Sequence, residues 1–261
     1  MVHRTRTLTR SALLITVLAC SVVVRAAAED SSNRAPAPRA SNAELDALFE
    51  AKDWGHLTAA LYPPPNDADS FGRNVNWLRS KLDAGAGFLM AYSYMRYLWI
   101  LGETVKLEDP GKDPRVTAAV IALYAIELIA VDGPKCEDGT APSHRMDQLR
   151  YQEPAVFAFL KSRPAELKEK LVAIAIAYEQ RTAPIRKDDD VLCSGGMDQM
   201  RAGLERGTSK EVPTPPGQVG KTVAVTPPTD WVPKYLPPEA YTPKQTQARA
   251  GMRDNLLKLV Q

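Results

Sequence analysis

The apolar positions after residue 40 recur at helical spacing along most of the chain. A capping box, Ser41 with Glu44, opens the first apolar stripe, and three prolines at residues 63–65 end it. Because an amphipathic helix buries a side chain every three or four positions, this spacing predicts helices. Only residues 222–226 show the two-residue alternation that is typical of a strand.

Two further segments predict the centre of the domain. Residues 74–101 keep an apolar side chain every three or four positions, which indicates one long helix that ends at Gly102. After an N-cap at Asp113, residues 116–131 are apolar on nearly every side, as expected of a fully buried helix. Four core side chains are expected to be enclosed: Val120, Leu123, Leu128 and Leu171.

Shorter apolar segments joined by short loops continue to residue 206. Helices connected in this way pack as antiparallel neighbours. The pattern therefore predicts an all-α fold with one helical domain over residues 42–206. We expect a single helical bundle or a short α-solenoid of about six helices.

Prolines dominate the next segment. Nine of the 21 prolines fall between Pro213 and Pro243, a density that disfavours helix and sheet and predicts an extended chain over residues 207–242. Aromatic side chains spaced along this segment either dock on the helical body or form a recognition surface. A capping-box pattern beginning at Thr242 then predicts one amphipathic helix over residues 243–261.

The N-terminus has the pattern of a secretory signal. Three arginines precede an apolar stretch at residues 11–24, and alanines at residues 26–28 supply a cleavage site. We therefore predict a signal peptide over residues 1–28, a flexible linker over 29–41, and a periplasmic or secreted protein. The alternative is a lipoprotein anchored through Cys20, because residues 17–20 resemble a lipobox. The apolar stretch is too short for a stable span.

Cleavage of the predicted signal peptide would leave two cysteines, Cys136 and Cys193, in the mature chain. An even pair in an oxidising compartment predicts a disulfide. A zinc site would need both of them with His56 and His144, and neither the C-x2-C nor the H-x3-H spacing is present. We predict no metal and no cofactor.

Charge is nearly balanced but unevenly distributed. Of 33 basic and 31 acidic residues, four arginines leave with the signal peptide. The mature chain would carry 29 against 31, which gives no support for nucleic-acid binding. Residues 206–261 hold eight basic and four acidic side chains, so the tail is basic and the body is acidic.

The disulfide would join two polar loops into one candidate functional face. Its members are charged side chains near the two cysteines: Glu137, Asp138, His144, Arg145, Asp147, Asp188, Asp189 and Asp190. Residues three apart on a helix share a face, so Asp147 is placed to orient His144 as a general base. In the alternative interpretation, Ser143 caps a helix and the charges are solvated. We assign no catalytic residue.

Two charged residues lie within apolar helical segments. Glu127 lies in the central helix, and Arg96 lies in the most aromatic stretch of the chain. A buried charge needs a partner, so a mutual ion pair is the structural hypothesis. The functional alternative makes Glu127 a proton donor with a raised pKa in a pocket.

These features favour a non-enzymatic exported protein that binds an unknown protein or envelope component. Many helices, few candidate catalytic groups and a tail of prolines and aromatics support this prediction. The alternative is a hydrolase-like or lyase-like enzyme that uses Glu127 or His144 as its acid or base.

Overall fold

A computed structural model describes residues 40–62, 68–105, 112–214, 217 and 219–261. The predicted signal peptide, Cys20 and nearly all of the predicted linker lie outside the described residues.

The described chain is almost entirely helical, which confirms the predicted all-α class. Its helices are α1 (Asn42–Glu50), α2 (Trp54–Leu61), α3 (Ala68–Asp83), α4 (Phe88–Thr104), α5 (Pro114–Asp132), α6 (Thr140–Gln152), α7 (Pro154–Lys161), α8 (Ala165–Thr182), α9 (Met197–Arg206) and α10 (Pro238–Val260). Short 3-10 turns at Gly133–Lys135 and Ala183–Ile185 follow α5 and α8, and the strands β1 (Thr208–Val212) and β2 (Thr222–Thr226) form one antiparallel hairpin. In the described part of residues 42–206, the helices number nine rather than about six.

Helix α5 is the centre of the core. It packs against α4, α8 and α10, and Val120, Leu123, Leu128 and Leu171 are all buried, as predicted. Residues Pro114–Lys135 are long and apolar enough to cross a membrane, but 83% of that apolar window is buried within the protein. Such burial is expected of a core helix, because a helix that is apolar all round needs neighbours on every side.

Two of the N-caps that were predicted from local sequence are present. Ser41 and Glu44 form the capping box of α1, and Asp113 accepts a hydrogen bond from the Arg115 N–H with Pro114 as the first residue of α5. Cap bonds join residues two or three apart, so they depend on local sequence alone.

The predicted single helix over residues 74–101 is wrong. The chain breaks between α3 and α4, where Gly85 has a φ of +85° and a Cβ atom would press against the Ile185 carbonyl oxygen. Only glycine adopts this conformation without strain. Helix α4 continues past Gly102 to Thr104. The spacing of apolar residues does not reveal the break, because α3 and α4 each bury an apolar stripe with helical spacing.

The tail also differs from an extended segment. The prolines flank the two strands and none lies within them, so residues 208–212 and 222–226 pair as a hairpin. Helix α10 begins at Pro238 instead of residue 243, and Pro237 serves as its N-cap. Proline suits the first helical position because its fixed φ is helical and it needs no N–H there.

The remaining extended part of the tail docks on the helical body, as in the first of the two alternatives given above. The Glu137 N–H donates to the Lys234 carbonyl at 2.9 Å, and the Leu236 N–H donates to the Lys135 carbonyl at 2.7 Å. Helix α10 then buries Met252, and its Gln245 amide donates to the α5 carbonyl of Val131 at 2.9 Å.

We expect Leu123→Ala to lower the free energy of unfolding by about 2 to 5 kcal/mol, because a fully buried leucine leaves a cavity when truncated. Urea denaturation measures this change. Ile174→Ala is the matched control, since Ile174 lies on α8 with 45% of its surface exposed; it should cost less than about 1 kcal/mol. Equal losses for the two variants would contradict the central position of α5.

Candidate functional site

Cys136 and Cys193 form a disulfide, as predicted, across a sequence separation of 57 residues. Their Cα atoms lie 5.2 Å apart and both residues are buried. The bond joins the loop before α6 to the loop before α9, so the two polar loops lie side by side. A disulfide is compatible with an oxidising, exported location.

Asp138 is a shared helix cap. Its carboxylate accepts hydrogen bonds from the Thr140 N–H of α6 at 2.9 Å and the Asp198 N–H of α9 at 2.8 Å. Burial raises the pKa of Asp138, but these hydrogen bonds outweigh burial and lower it. A Cβ atom at Gly196 would overlap the same carboxylate, so glycine is required there for the close approach. Asp138 therefore serves folding, and it replaces Ser143 as the cap of α6.

Asp189 has an equivalent role at another helix. It accepts hydrogen bonds from the Phe88 N–H at the start of α4 at 2.6 Å and from the Leu192 N–H of its own turn at 3.0 Å. Burial raises the pKa of Asp189, and the two N–H donors oppose that rise. The first helical N–H groups lack partners within their helix, so this distant carboxylate completes α4.

Asp190 connects the turn between α1 and α2, and the C-terminal tail, to the same loop. It forms an ion pair with Lys52, which lies between α1 and α2, and it accepts a hydrogen bond from the Tyr235 hydroxyl of the tail at 2.6 Å. Burial and the neighbouring Asp190 carboxylate both raise the pKa of Tyr235. The phenol therefore stays protonated and remains a donor.

Arg145 joins α6 to the loop that carries Cys193. Its guanidinium donates to the carbonyl oxygens of Val191 at 2.9 Å and Ser194 at 3.0 Å, and to the Gln148 amide oxygen at 2.9 Å. Five guanidinium N–H groups in a fixed plane suit such multiple bonding. Arg145 thus holds the loop in place.

His144 is not arranged as a general base with Asp147. Within the described residues, no hydrogen bond joins the two side chains, and Asp147 is exposed. Burial, assisted by Arg145, lowers the pKa of His144, while Asp147 raises it less. The imidazole is therefore neutral near pH 7 without an orienting partner. Glu137 and Asp188 are also exposed, and they line separate cavities described below.

The predicted ion pair between Arg96 and Glu127 is wrong. Arg96 pairs with Glu153 at 3.1 Å and lies between the rings of Tyr62 and Tyr92, with its guanidinium carbon 5.4 and 5.9 Å from their centroids. Arg96 is only half-buried, so it reaches the α6–α7 corner instead of the core centre.

Glu127 is completely enclosed, and neither of its carboxylate oxygens has a hydrogen-bond partner among the described residues. Burial raises its pKa to about 8, with a further rise from Glu179 and an opposing effect from Arg186. The group is therefore a neutral carboxylic acid at pH 7. It lines none of the three cavities described below.

A buried ionic network that the sequence analysis missed lies beside Glu127. Arg186 is almost fully enclosed and donates to Asp132 at 2.7 Å and to Glu179 at 2.6 Å. Arg249 of α10 also donates to Glu179, at 2.9 Å. Burial raises the pKa of Glu179, but the two arginines outweigh burial and lower it. The network ties α5, α8 and α10 together.

A local signal existed for only one member of this network. Glu179 follows Leu171 and Ala175 at intervals of four on α8, which places it on the buried face of the helix. Arg186 follows a short turn beside a run of three aspartates, a context that is typical of a solvated loop. Only the fold shows that its side chain turns inward.

Three cavities open on the described surface, with volumes of 330, 430 and 530 Å³. The first lies between α1, α2 and the loop at residues 185–191. The second lies between α9 and the tail at residues 231–234. The third lies between α5 and α6. His144 lines none of them. The predicted face is divided among them, because Asp188, Asp189 and Asp190 line the first cavity, whereas Glu137 and Asp138 line the second.

Cys136→Ser should lower the free energy of unfolding by about 2 to 5 kcal/mol, because the unfolded chain gains freedom and the buried crosslink is lost. It should also loosen the loop that carries His144 and the tail hydrogen bonds of Glu137 and Leu236. Hydrogen exchange at those two amides, together with urea denaturation, measures both effects. A reductant should bring the wild type to the stability of the variant and leave the variant unchanged. Unaltered wild-type stability under reduction would contradict the prediction.

Among the described residues, no three His, Cys, Asp or Glu side chains are arranged to hold a metal ion. The polar residues near the disulfide mainly cap helices and fix loops. Comparison of the chain with protein families, curated protein sequences and solved structures finds no match to any of them.

Proposed function

We propose that this chain is an exported, non-enzymatic protein that binds a protein or envelope component in the periplasm or outside the cell. One observation carries the proposal: several of the reactive side chains near the disulfide are engaged in folding. Asp138 and Asp189 cap helices, and Arg145 fixes a loop. An active site needs such groups directed at a substrate.

Exposed apolar side chains support recognition of a macromolecule. Met197 and Leu204 lie seven residues apart on α9 and are 62% and 67% exposed, and Tyr151 on α6 is 82% exposed. Aromatic side chains and methionine are enriched in protein interfaces. The enzyme alternative that uses Glu127 would require solvent and substrate to reach this side chain, which is fully enclosed.

The export part of the proposal rests on the N-terminal pattern and on the disulfide. Intact-mass analysis of the exported protein should show Glu29 at the N-terminus. An acylated Cys20 would instead place the protein on a membrane as a lipoprotein, and a retained signal sequence would contradict both forms of the proposal.

Binding is tested with the mature chain as bait for an envelope extract, followed by mass spectrometry and titration of each purified candidate. We expect one saturable partner that binds wild type, Glu127→Gln and His144→Ala with equal affinity. A non-enzymatic protein needs neither side chain as an acid or base, and Glu127 is enclosed. Turnover of a small molecule that is lost in either variant would favour the enzyme alternative. The absence of any saturable partner would contradict the proposal.

A further inference from the structure

The 330 Å³ cavity has a strongly aromatic and apolar wall. Phe49 and Trp54 contact each other edge to face, with ring centroids 5.8 Å apart. Leu89, Met90 and Ile185 extend the apolar surface. We name this space the Trp54 cavity. Its volume is within the range of small ligand sites, and it is large enough for one long side chain.

Most charged groups at the Trp54 cavity are already engaged. Lys52 pairs with Asp190, and Lys81 pairs with Asp46 at 2.7 Å. Asp189 accepts its two backbone hydrogen bonds. The two lysine ion pairs therefore contribute little net charge toward a ligand.

Three exposed charges remain at the rim: Glu50, Asp188 and Lys187. Within the described residues, the structure records no hydrogen bond or ion pair of their side chains. The surplus is thus one negative charge. Glu50 is also the last residue of α1, where the partial negative charge of a helix C-terminus favours cations. Both effects favour a positively charged group.

The protein itself already places a cation on this aromatic wall. The Lys81 ammonium lies 5.0 Å from the centroid of the Phe49 ring and 5.4 Å from that of Trp77. Cations are attracted to the faces of aromatic rings, and tryptophan is the strongest attractor. Trp54 lines the cavity and is half-buried.

The rim is held in a defined position. Lys52 has a φ of 54°, in a turn where glycine is the usual residue, and the Asp53 N–H donates to the Leu48 carbonyl across it. This conformation costs a lysine about 1 kcal/mol. Lysine therefore occupies the position for its side chain, which bridges the cavity mouth to Asp190.

We propose that the Trp54 cavity binds one basic side chain, an arginine or a lysine, of a partner protein. The proposal rests on the proposed binding function and specifies its chemistry. The apolar stem of the side chain would lie along Trp54 and Ile185, and its charged end would meet Glu50 and Asp188. The acidic balance of residues 29–205 also favours a basic partner.

Peptide titration followed by NMR tests the proposal on the isotopically labelled mature chain. The probe is acetyl-Gly-Arg-Gly-amide, and the matched control replaces arginine with citrulline, which has the same shape without charge. We expect the arginine peptide to shift the Trp54 indole N–H resonance and the Gly85–Gly87 amides, while citrulline causes little change. Equal binding of the two peptides, or no saturable shift, would overturn the proposal.

A charge-matched pair of variants locates the binding. The double variant Glu50→Gln with Asp188→Asn should weaken binding of the arginine peptide by about tenfold or more, since it removes both rim carboxylates. Glu166→Gln with Glu169→Gln removes two exposed carboxylates from α8 and should leave affinity unchanged. Equal weakening in both pairs would show diffuse attraction and overturn the assignment. Preferential binding of acetyl-Gly-Glu-Gly-amide would overturn it as well, because the lysines of the cavity would then determine which charge it binds.

The outcome can be separated from that of the proposed function. If the arginine peptide titrates the Trp54 cavity but no envelope partner binds, the binding function fails and the cavity assignment stands. If a partner binds the rim variant as tightly as it binds wild type, the proposed function stands and the cavity assignment fails.

Discussion

Replacing Glu127 with methionine is expected to make the free energy of unfolding depend much less on pH. The pKa of Glu127 is raised to about 8 from 4.5 by burial. Between these values the unfolded chain loses its proton while the folded chain keeps it, so wild-type stability falls as pH rises. At about 1.4 kcal/mol per pH unit, the loss reaches about 5 kcal/mol by pH 8. Glu127→Met should remove this loss.

Urea denaturation at several pH values from 4 to 9 measures the effect as the difference between variant and wild type. Methionine is unbranched and of similar length, so packing should be preserved. Glu127→Gln should also remove the pH dependence, but it should be less stable than Glu127→Met because it keeps a buried polar group. Glu205→Gln, on the exposed face of α9, serves as the control. Parallel pH profiles for wild type and Glu127→Met would show that Glu127 is ionised in the folded protein.

Arg186→Met should lower the free energy of unfolding by about 3 to 5 kcal/mol at pH 7. The arginine is buried between Asp132 and Glu179, and its removal leaves two enclosed carboxylates with weaker compensation from Lys135 and Arg249. Guanidinium chloride or urea denaturation at pH 7 measures the change in the unfolding midpoint. The loss should be smaller at pH 4.5, where protonation of the carboxylates relieves the uncompensated charge.

Two control variants separate geometry from charge. Arg186→Lys keeps the charge, but an ammonium cannot form the forked contacts with both carboxylates, so an intermediate loss is expected. Arg181→Met removes an exposed arginine of α8 that pairs with Asp83 at 2.8 Å, and it should cost less than about 1 kcal/mol. If Arg186→Met is no more costly than Arg181→Met, the network does not hold α5, α8 and α10 together.

The parts of the fold that were predicted correctly depend on residues close together in sequence. The capping box at Ser41, the N-cap at Asp113 and the apolar period of α5 involve neighbours within one or two turns. Burial of Leu123 followed from the same period. The disulfide was predicted because only two cysteines remain after residue 28, a count that needs no knowledge of the fold.

The wrong predictions involve choices that local patterns do not make. The α3–α4 break depends on Gly85 packing against Ile185, a residue 100 positions away. Arg96 was predicted to pair with Glu127, and the partner it contacts is Glu153. In the tail, alternation indicated a strand at residues 222–226, but proline density favoured an extended chain, and the pairing of β1 with β2 was not predicted.

Several candidate-site residues were identified by type but not by role. Asp138 and Asp189 were expected on one functional face, and each instead caps a helix that begins far along the chain. A carboxylate can bind substrate, metal or backbone N–H groups, and its sequence neighbours do not distinguish these partners. The choice depends on which donor the fold brings within about 3 Å.

The sequence by itself determined the helical class, the buried centre and the cysteine pair, because periodicity and composition act through local geometry and residue counts. Only the tertiary structure decided which charges meet, which aspartates cap helices and which carboxylate, Glu127, lies without a hydrogen-bond partner among the described residues. The physical reason is that electrostatic and hydrogen-bond energies depend on distance and solvent exposure. Both quantities are set when segments distant in sequence pack together.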